Sequence, residues 1–264
     1  MSAALDRGIL AISIDLEIDP TRRIADQQAR LEESARVLIR QLEKYGVPAT
    51  WGVADPAVSV LTERLATSRT RHEIAILGDA SWVGAEAGRM RFSRELNRRA
   101  MRARAAGLDA TTLLLRGAEL DDHFDTAIRH GITSVRGPEP DLETGWFSRD
   151  TTGQPHALRF GLWQIPVSIV LPAQRTWFGL ASAKRGLKRA IDQACSAPSL
   201  CQLKIDGLKF SEAGSRRQLE QILKHADRRR QAGLLAIATL AETADLLSAS
   251  RQPTPARSIL RPAA

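Results

Sequence analysis

Cysteine is nearly absent: Cys195 and Cys201 are the only two in 264 residues, and they do not form a Cys-x-x-Cys pair. That excludes a disulfide framework and a cysteine-based zinc site, and the two thiols read as reduced residues of the core or its edge. Long apolar runs are missing too. The one near the N-terminus is short and broken by Asp15, which fits neither a secretory signal nor a membrane span, so the expected location is cytoplasmic by default. The five histidines, His72, His123, His130, His156 and His225, show no ligand-like pairing among themselves. No internal repeat is evident.

What is present is an ordinary globular composition, 43% hydrophobic and 26% charged, in a chain long enough for one large α/β domain. Positive charge dominates, with a formal net charge of +8. Such an excess permits attraction to nucleic acid, anionic membrane or acidic polysaccharide without conferring specificity, and compositional drift towards arginine on helix surfaces explains it equally well.

The organising stretch runs from Gly8 to Asp19, a β-branched apolar segment that delivers Asp15, Glu17 and Asp19 in succession. It reads as a buried strand ending in carboxylates. Ligands and chemistry collect at the C-terminal ends of strands in open α/β sheets and in α/β barrels, which makes Asp15 the natural seat of a site. The plainer reading is that a strand-end Asp caps a neighbouring loop or helix.

Strand and helix then alternate. Leu31, Ala35, Leu38, Leu42 and Tyr45 share one helix face, Gly46 ends that helix, and residues 47–53 form a short strand. Asp55-Pro56 carries the cap-then-proline signature of a helix start. Further strands are expected at 72–77, 111–116, 132–136, 200–206 and 234–238, with an irregular strand-like stretch at 156–171 after a Gly/Pro/Asp-rich connection at 137–155. Helices are expected at about 86–105, at about 183–196 and around Leu219, Ile222, Leu223 and Ala226, and the carboxylates at 121–125 fit the first turn of another. Thr239 and Glu242 form a capping box that opens the last helix. One domain over 1–249 and a mobile, Pro-rich tail over 250–264 follow.

The helix near 86–105 carries Arg89, Arg91, Arg94, Arg98, Arg99, Arg102 and Arg104. Arg94, Arg98 and Arg102 lie four apart and so share a face that can meet phosphates. Without aromatic or Gly-rich interleaving, a solvated helix face accounts for them better.

Taken in order, these landmarks resemble the polysaccharide deacetylase family, the NodB-homology domain of carbohydrate esterase family 4, over about residues 8–248. Ser13-Ile-Asp-Leu-Glu17 lies where the family places its first motif, a strand end supplying a catalytic base and a metal ligand. Leu42-Glu-Lys-Tyr-Gly-Val-Pro-Ala-Thr-Trp51 resembles the family's helix-to-strand passage. His72-Glu-Ile-Ala resembles the approach to the second motif, in which two histidines four residues apart hold a divalent metal such as zinc. Leu77 and Ser81 stand at those two positions. Arg116 matches the arginine of the third motif, although Gly117-Ala-Glu-Leu120 replaces the usual Pro-Pro-Tyr-Gly-like continuation. Asp206, in Leu203-Lys-Ile-Asp206, stands where members place a catalytic histidine.

The resemblance implies an irregular parallel (β/α) barrel of about seven strands with helices outside. It also implies hydrolysis of C–N bonds in N-acetylated sugars, which needs a metal-bound water, a carboxylate to take its proton and an acid for the leaving amine. A catalytic zinc takes three protein ligands from His, Asp, Glu or Cys. With both motif histidines replaced, the expectation is a deacetylase-like protein without cofactor, acting as a non-catalytic glycan-binding or regulatory module. Two alternatives stand beside it: a hydrolase using Asp15, Glu17 and Asp206 with an atypical metal site, and a binder of anionic polymers through the arginine helix. Asp15, Arg116 and Asp206 are the candidate catalytic positions, and Glu17, Trp51, Trp82 and Asp79 the candidate ligand contacts. A concave pocket is expected at the Asp15 end of the barrel, lined by Arg116, Trp51 or Trp82. His72, which begins a strand, is expected at the opposite end in a structural role.

Overall fold

The computed structural model describes residues 5–17, 24–56, 61–120, 123–137, 154–171, 179–211 and 213–250. Asp19, Asp121, most of the 137–155 connection and the tail beyond residue 250 lie outside these segments.

Strand β1 (Gly8–Leu16) is buried along its whole length. One of its edges runs parallel to β9 (Leu200–Asp206) from Ile9 to Asp15. The other edge is shared: β10 (Leu235–Ala238) pairs with Gly8 to Ala11, and β2 (Thr50–Val53) with Ser13 to Leu16. From β2 the sheet continues through β3 (Glu73–Asp79), β4 (Thr112–Arg116), β5 (Ser134–Arg136) and β7 (Trp163–Ile165), all parallel, with β6 (His156–Ala157) antiparallel on the far edge.

The stretch 156–171, irregular in sequence, closes the sheet. Its first half, β7, pairs with β5, and its second half, β8 (Ile169–Leu171), pairs with β9, both in the parallel sense. One ascending segment therefore switches partners around Pro166. Gly137 N–H donates to Ile165 O at 2.8 Å and Ser168 N–H to Gln202 O at 2.9 Å on either side of the switch. Proline, which has no N–H to give a ladder, falls between the two ladders. The result is the expected irregular barrel, a ring of seven strand positions.

Residue parity decides which side chains face in. On β1, Leu10, Ile12, Ile14 and Leu16 point outward into a core shared with Trp51, Leu203 and Ile205 and covered by α1 (Ile24–Lys44), α5 (Gly179–Ser196) and α6 (Ala213–Gln231). A second outer core lies between β3 to β5 and the helices α3 (Gly88–Ala105) and α4 (Phe124–Arg129). The short α2 (Leu61–Ala66) follows β2. Asp55, read from sequence as a helix cap, pairs with Arg102 of α3 at 2.5 Å.

The inward positions fill the barrel with Ala11, Ala75, Leu77, Leu114 and Ile165, joined by Leu240 of α7 (Leu240–Ala249). That helix stands against the N-terminal end of the barrel. Leu240 N–H donates to the Thr50 hydroxyl at 2.8 Å and Ala241 N–H to a Glu73 carboxylate oxygen at 3.1 Å, while the Thr239/Glu242 capping box is formed as its sequence signals. His72 lies at this same end, where its Nδ1 accepts from Ala49 N–H at 3.2 Å and its ring packs edge-on against Trp51.

Candidate functional site

The C-terminal end of the barrel is built from the inward parity of four strands. Ser13 and Asp15 come from β1, Gln202, Lys204 and Asp206 from β9, Arg136 from β5 and Arg116 from β4. Register places Asp15 directly beside Asp206 and next to Gly52. Asp15 itself is 5% exposed and Arg136 is fully buried.

These two form the centre. The Arg136 guanidinium donates to Asp15 Oδ1 at 2.5 Å and to Oδ2 at 2.9 Å, and also reaches Ser13 Oγ and the Leu115 carbonyl, each at 3.1 Å. The Lys204 ammonium lies 3.1 Å from Asp15 Oδ2. Gln202 Nε2 donates to the same Ser13 Oγ at 2.7 Å. Burial alone would raise the Asp15 carboxyl, but the charges and hydrogen bonds of Arg136 and Lys204 outweigh it and hold the carboxyl below its usual range. A carboxylate held so firmly in its ionised form is a weak proton acceptor.

Apolar side chains fill the space beside it. A Cβ added to Gly52 would meet Leu114 Cδ1 at 2.5 Å, with Asp15 Oδ1 and Leu77 Cδ1 both at 3.5 Å. Leu77, expected from the resemblance at the first motif-histidine position, is thus an interior packing residue. Ser81, expected at the second, is exposed, and its N–H is bonded to Asp79 Oδ1 at 2.7 Å.

Around the rim each charge has its own partner. Arg116 pairs with Glu17. Asp206 Oδ1 accepts from Leu208 and Lys209 N–H at 3.1 and 3.2 Å, and its other oxygen meets the Lys209 ammonium at 3.0 Å. Asp206 and Asp79 therefore play the loop-capping role that the plainer sequence reading allotted to strand-end Asp. Among the described residues, no three His, Cys, Asp or Glu side chains come together as metal ligands. The donors present do not suit a divalent cation either, because both Asp15 oxygens already face buried cations and the rim carboxylates are engaged separately.

The two tryptophans correct the sequence expectation. Trp51 is fully buried and points outward from β2, because the inward positions of that strand are Thr50 and Gly52. Trp82 is 2% exposed, stacked on Phe92 and covered by the Arg99 guanidinium 4.5 Å above its ring. Neither offers a stacking face to a ligand, and the pocket expected around Asp15 is closed at the level of that residue. Arg136 and Lys204, which close it, were not among the candidates. Their signal was present: each is a cation at an inward-parity position of an apolar strand, Arg136 at the end of its strand and Lys204 two residues before Asp206.

The arginine helix is largely self-satisfied. Arg89 pairs with Asp125, Arg98 and Arg99 with Glu95, Arg102 with Asp55, and Arg104 donates to the His130 carbonyl. Arg99 Nε also donates to the Ala54 carbonyl at 2.7 Å. Arg99, Arg102 and Arg104 fasten loops of their own chain, Arg89 reaches α4, and Arg98 and Arg99 pair within the helix.

No family model matches the sequence, and no curated protein does. Solved structures do match. A protein from Mycobacterium smegmatis, provisionally assigned as a polysaccharide deacetylase, superposes with a TM-score of 0.71 at 17% identity, covering 100% of this chain and 98% of that one. The fold is the polysaccharide deacetylase fold. The allantoinase Puue shares it, with a TM-score of 0.62 at 13% identity over 93% of this chain and 92% of its own. So does a mutant of BA3943, a CE4 family pseudoenzyme, with a TM-score of 0.55 at 10% identity over 91% and 68% of the two chains. Deacetylase-like architecture thus carries a deacetylase assignment, an allantoinase and a pseudoenzyme, and the reading of function must come from the site.

Proposed function

We propose that this chain is a non-catalytic member of the deacetylase-like barrels that binds a carbohydrate or a related ligand at the rim of the barrel and acts through that binding. The observation that carries the reading is the state of Asp15: both oxygens are held by buried cations, and Leu77 and Leu114 fill the adjoining space. Hydrolysis of an N-acetyl group requires a carboxylate free to take a proton and a group to polarise water, and neither is offered by these side chains. The accessible ligand contacts are the Arg116–Glu17 pair and Asp79 and Asp206 beside it.

The test pairs an assay with a binding measurement. Purified protein incubated with N-acetylated amino-sugar oligomers, with and without added zinc, nickel, cobalt or iron, should release no acetate above a protein-free control. The same oligomers, or members of a glycan panel, should bind with an affinity that falls on Arg116→Ala. Metal-dependent acetate release that is abolished by Asp15→Asn would overturn the reading in favour of an atypical hydrolase.

A further inference from the structure

We infer a second binding site, for a phosphate or sulfate ester, in the cleft between α1 and α2 on the outer surface of the barrel. The cleft is a cavity of about 340 Å³, near the lower end of the range of small-molecule sites. Helix α1 supplies Arg36, Arg40 and Glu43 at helical spacing, with Ile39 as an apolar floor, and α2 supplies Arg64 from the facing side. Three guanidiniums therefore line one cavity against a single carboxylate.

The engagement of these groups differs from that on α3. Neither Arg40 nor Arg64 has a side-chain partner among the described residues, whereas the arginines of α3 described above are tied to carboxylates and carbonyls of their own chain. Arg36 is paired with Glu33 at 2.8 Å on the exposed rim. Glu43 is committed to the wall: it accepts from the Ser68 hydroxyl at 2.7 Å and from Arg69 N–H at 3.2 Å, which draws the turn after α2 against α1. The Ser68 bond, assisted by the nearby charges, keeps the Glu43 carboxyl below its usual range, so it stays anionic and aimed at the wall. Unengaged donors in the cavity are thus guanidinium N–H groups. Planar forks of this kind suit the several equivalent oxygens of a tetrahedral oxyanion better than a single carbonyl or hydroxyl does. The site is separate from the barrel mouth and does not depend on how the mouth is used.

Titration calorimetry of the full chain at low ionic strength, with inorganic phosphate, inorganic sulfate and glucosamine 6-phosphate, tests this. Saturable binding of at least one oxyanion at one site per chain is expected, weakening as sodium chloride is raised. The double variant Arg40→Gln/Arg64→Gln should lose affinity by ~tenfold or more, as the removal of charge-assisted hydrogen bonds implies. Arg91→Gln, an exposed arginine on α3 away from the cleft, should bind as the unaltered chain does. Tighter binding of phosphate or of sulfate identifies the ester, and either order supports the site. Failure to saturate, or an equal loss in Arg91→Gln and the double variant, would show that only general surface charge is involved and would overturn the proposal. All three side chains are exposed, so the variants should fold, and unchanged thermal midpoints would verify that.

Discussion

At the scale of single residues, the decisive fact is that Asp15 is the anion of a buried ion cluster. Removing one member of a buried pair leaves an uncompensated charge, which costs far more than the pair contributes. Asp15→Asn, which leaves both Arg136 and Lys204 facing a neutral amide, is therefore expected to lower the unfolding free energy by about 3 to 5 kcal/mol, measured by urea denaturation at neutral pH. Adding Arg136→Met to that variant removes one of the two stranded cations and should restore part of the loss. If the double variant is as unstable as the single one, Arg136 contributes through packing and not through charge.

His72 makes a second prediction at this scale. Burial pushes its ring down to about 4 from the usual 6.5, although the Glu43 carboxylate works in the opposite sense. A depressed histidine favours the neutral fold, so the unfolded chain takes up a proton at a pH where the folded chain does not. Stability should be complete above pH 6.5 and fall as the pH drops towards 4. The loss is on the order of 2 kcal/mol once the ring's partial exposure is allowed for. Denaturation midpoints for His72→Gln, compared with the unaltered chain at pH 7 and pH 4.5, should show a flatter response in the variant.

At the scale of elements, α7 shows how a local signal is put to a tertiary use. The capping box at Thr239 and Glu242 opens the helix, and the same helix start sends its free N–H groups to Thr50 and Glu73 at the floor of the barrel. Thr239→Ala should cost about 1 kcal/mol through the lost cap. Hydrogen exchange should speed up most at Glu242 N–H, which the Thr239 hydroxyl holds at 3.2 Å. Strand parity is the other lesson of this scale. Ala49-Thr-Trp-Gly-Val53 alternates small or polar inward residues with apolar outward ones, and that alternation sends Trp51 into the outer core. A shift of one residue would have reversed the result.

At the scale of the molecule, the barrel depends on residues 163–171 changing partners. Ser168 holds the second ladder twice, through its N–H to Gln202 O and its hydroxyl accepting Gln202 N–H at 3.0 Å. Ser168→Pro removes the first bond and displaces the second, and should destabilise the fold by about 2 to 3 kcal/mol. Thermal unfolding followed by circular dichroism would measure it. The exposed ion pairs across the surface are worth little individually, so raising the salt concentration should move that midpoint far less than this one substitution does. Among the described residues no helix is long and apolar enough to cross a membrane.

The sequence alone determined the alternation of strand and helix, the place of β1, the extent of α3, the capping box of α7 and the position of His72. Each of these rests on periodicity or on contacts between near neighbours in the chain, which local chemistry dictates. The resemblance to the deacetylase family also set the expectation that Leu77 and Ser81 stand where members hold metal-binding histidines. Only the tertiary structure decided what Asp15 meets. Arg136 is 121 positions away from it along the chain and Lys204 farther still, and no local pattern states that two cations on different strands will converge on one carboxylate. That convergence depends on the register of β1 with β9 and on the curvature that brings β5 across the barrel, and these exist only once the sheet has closed.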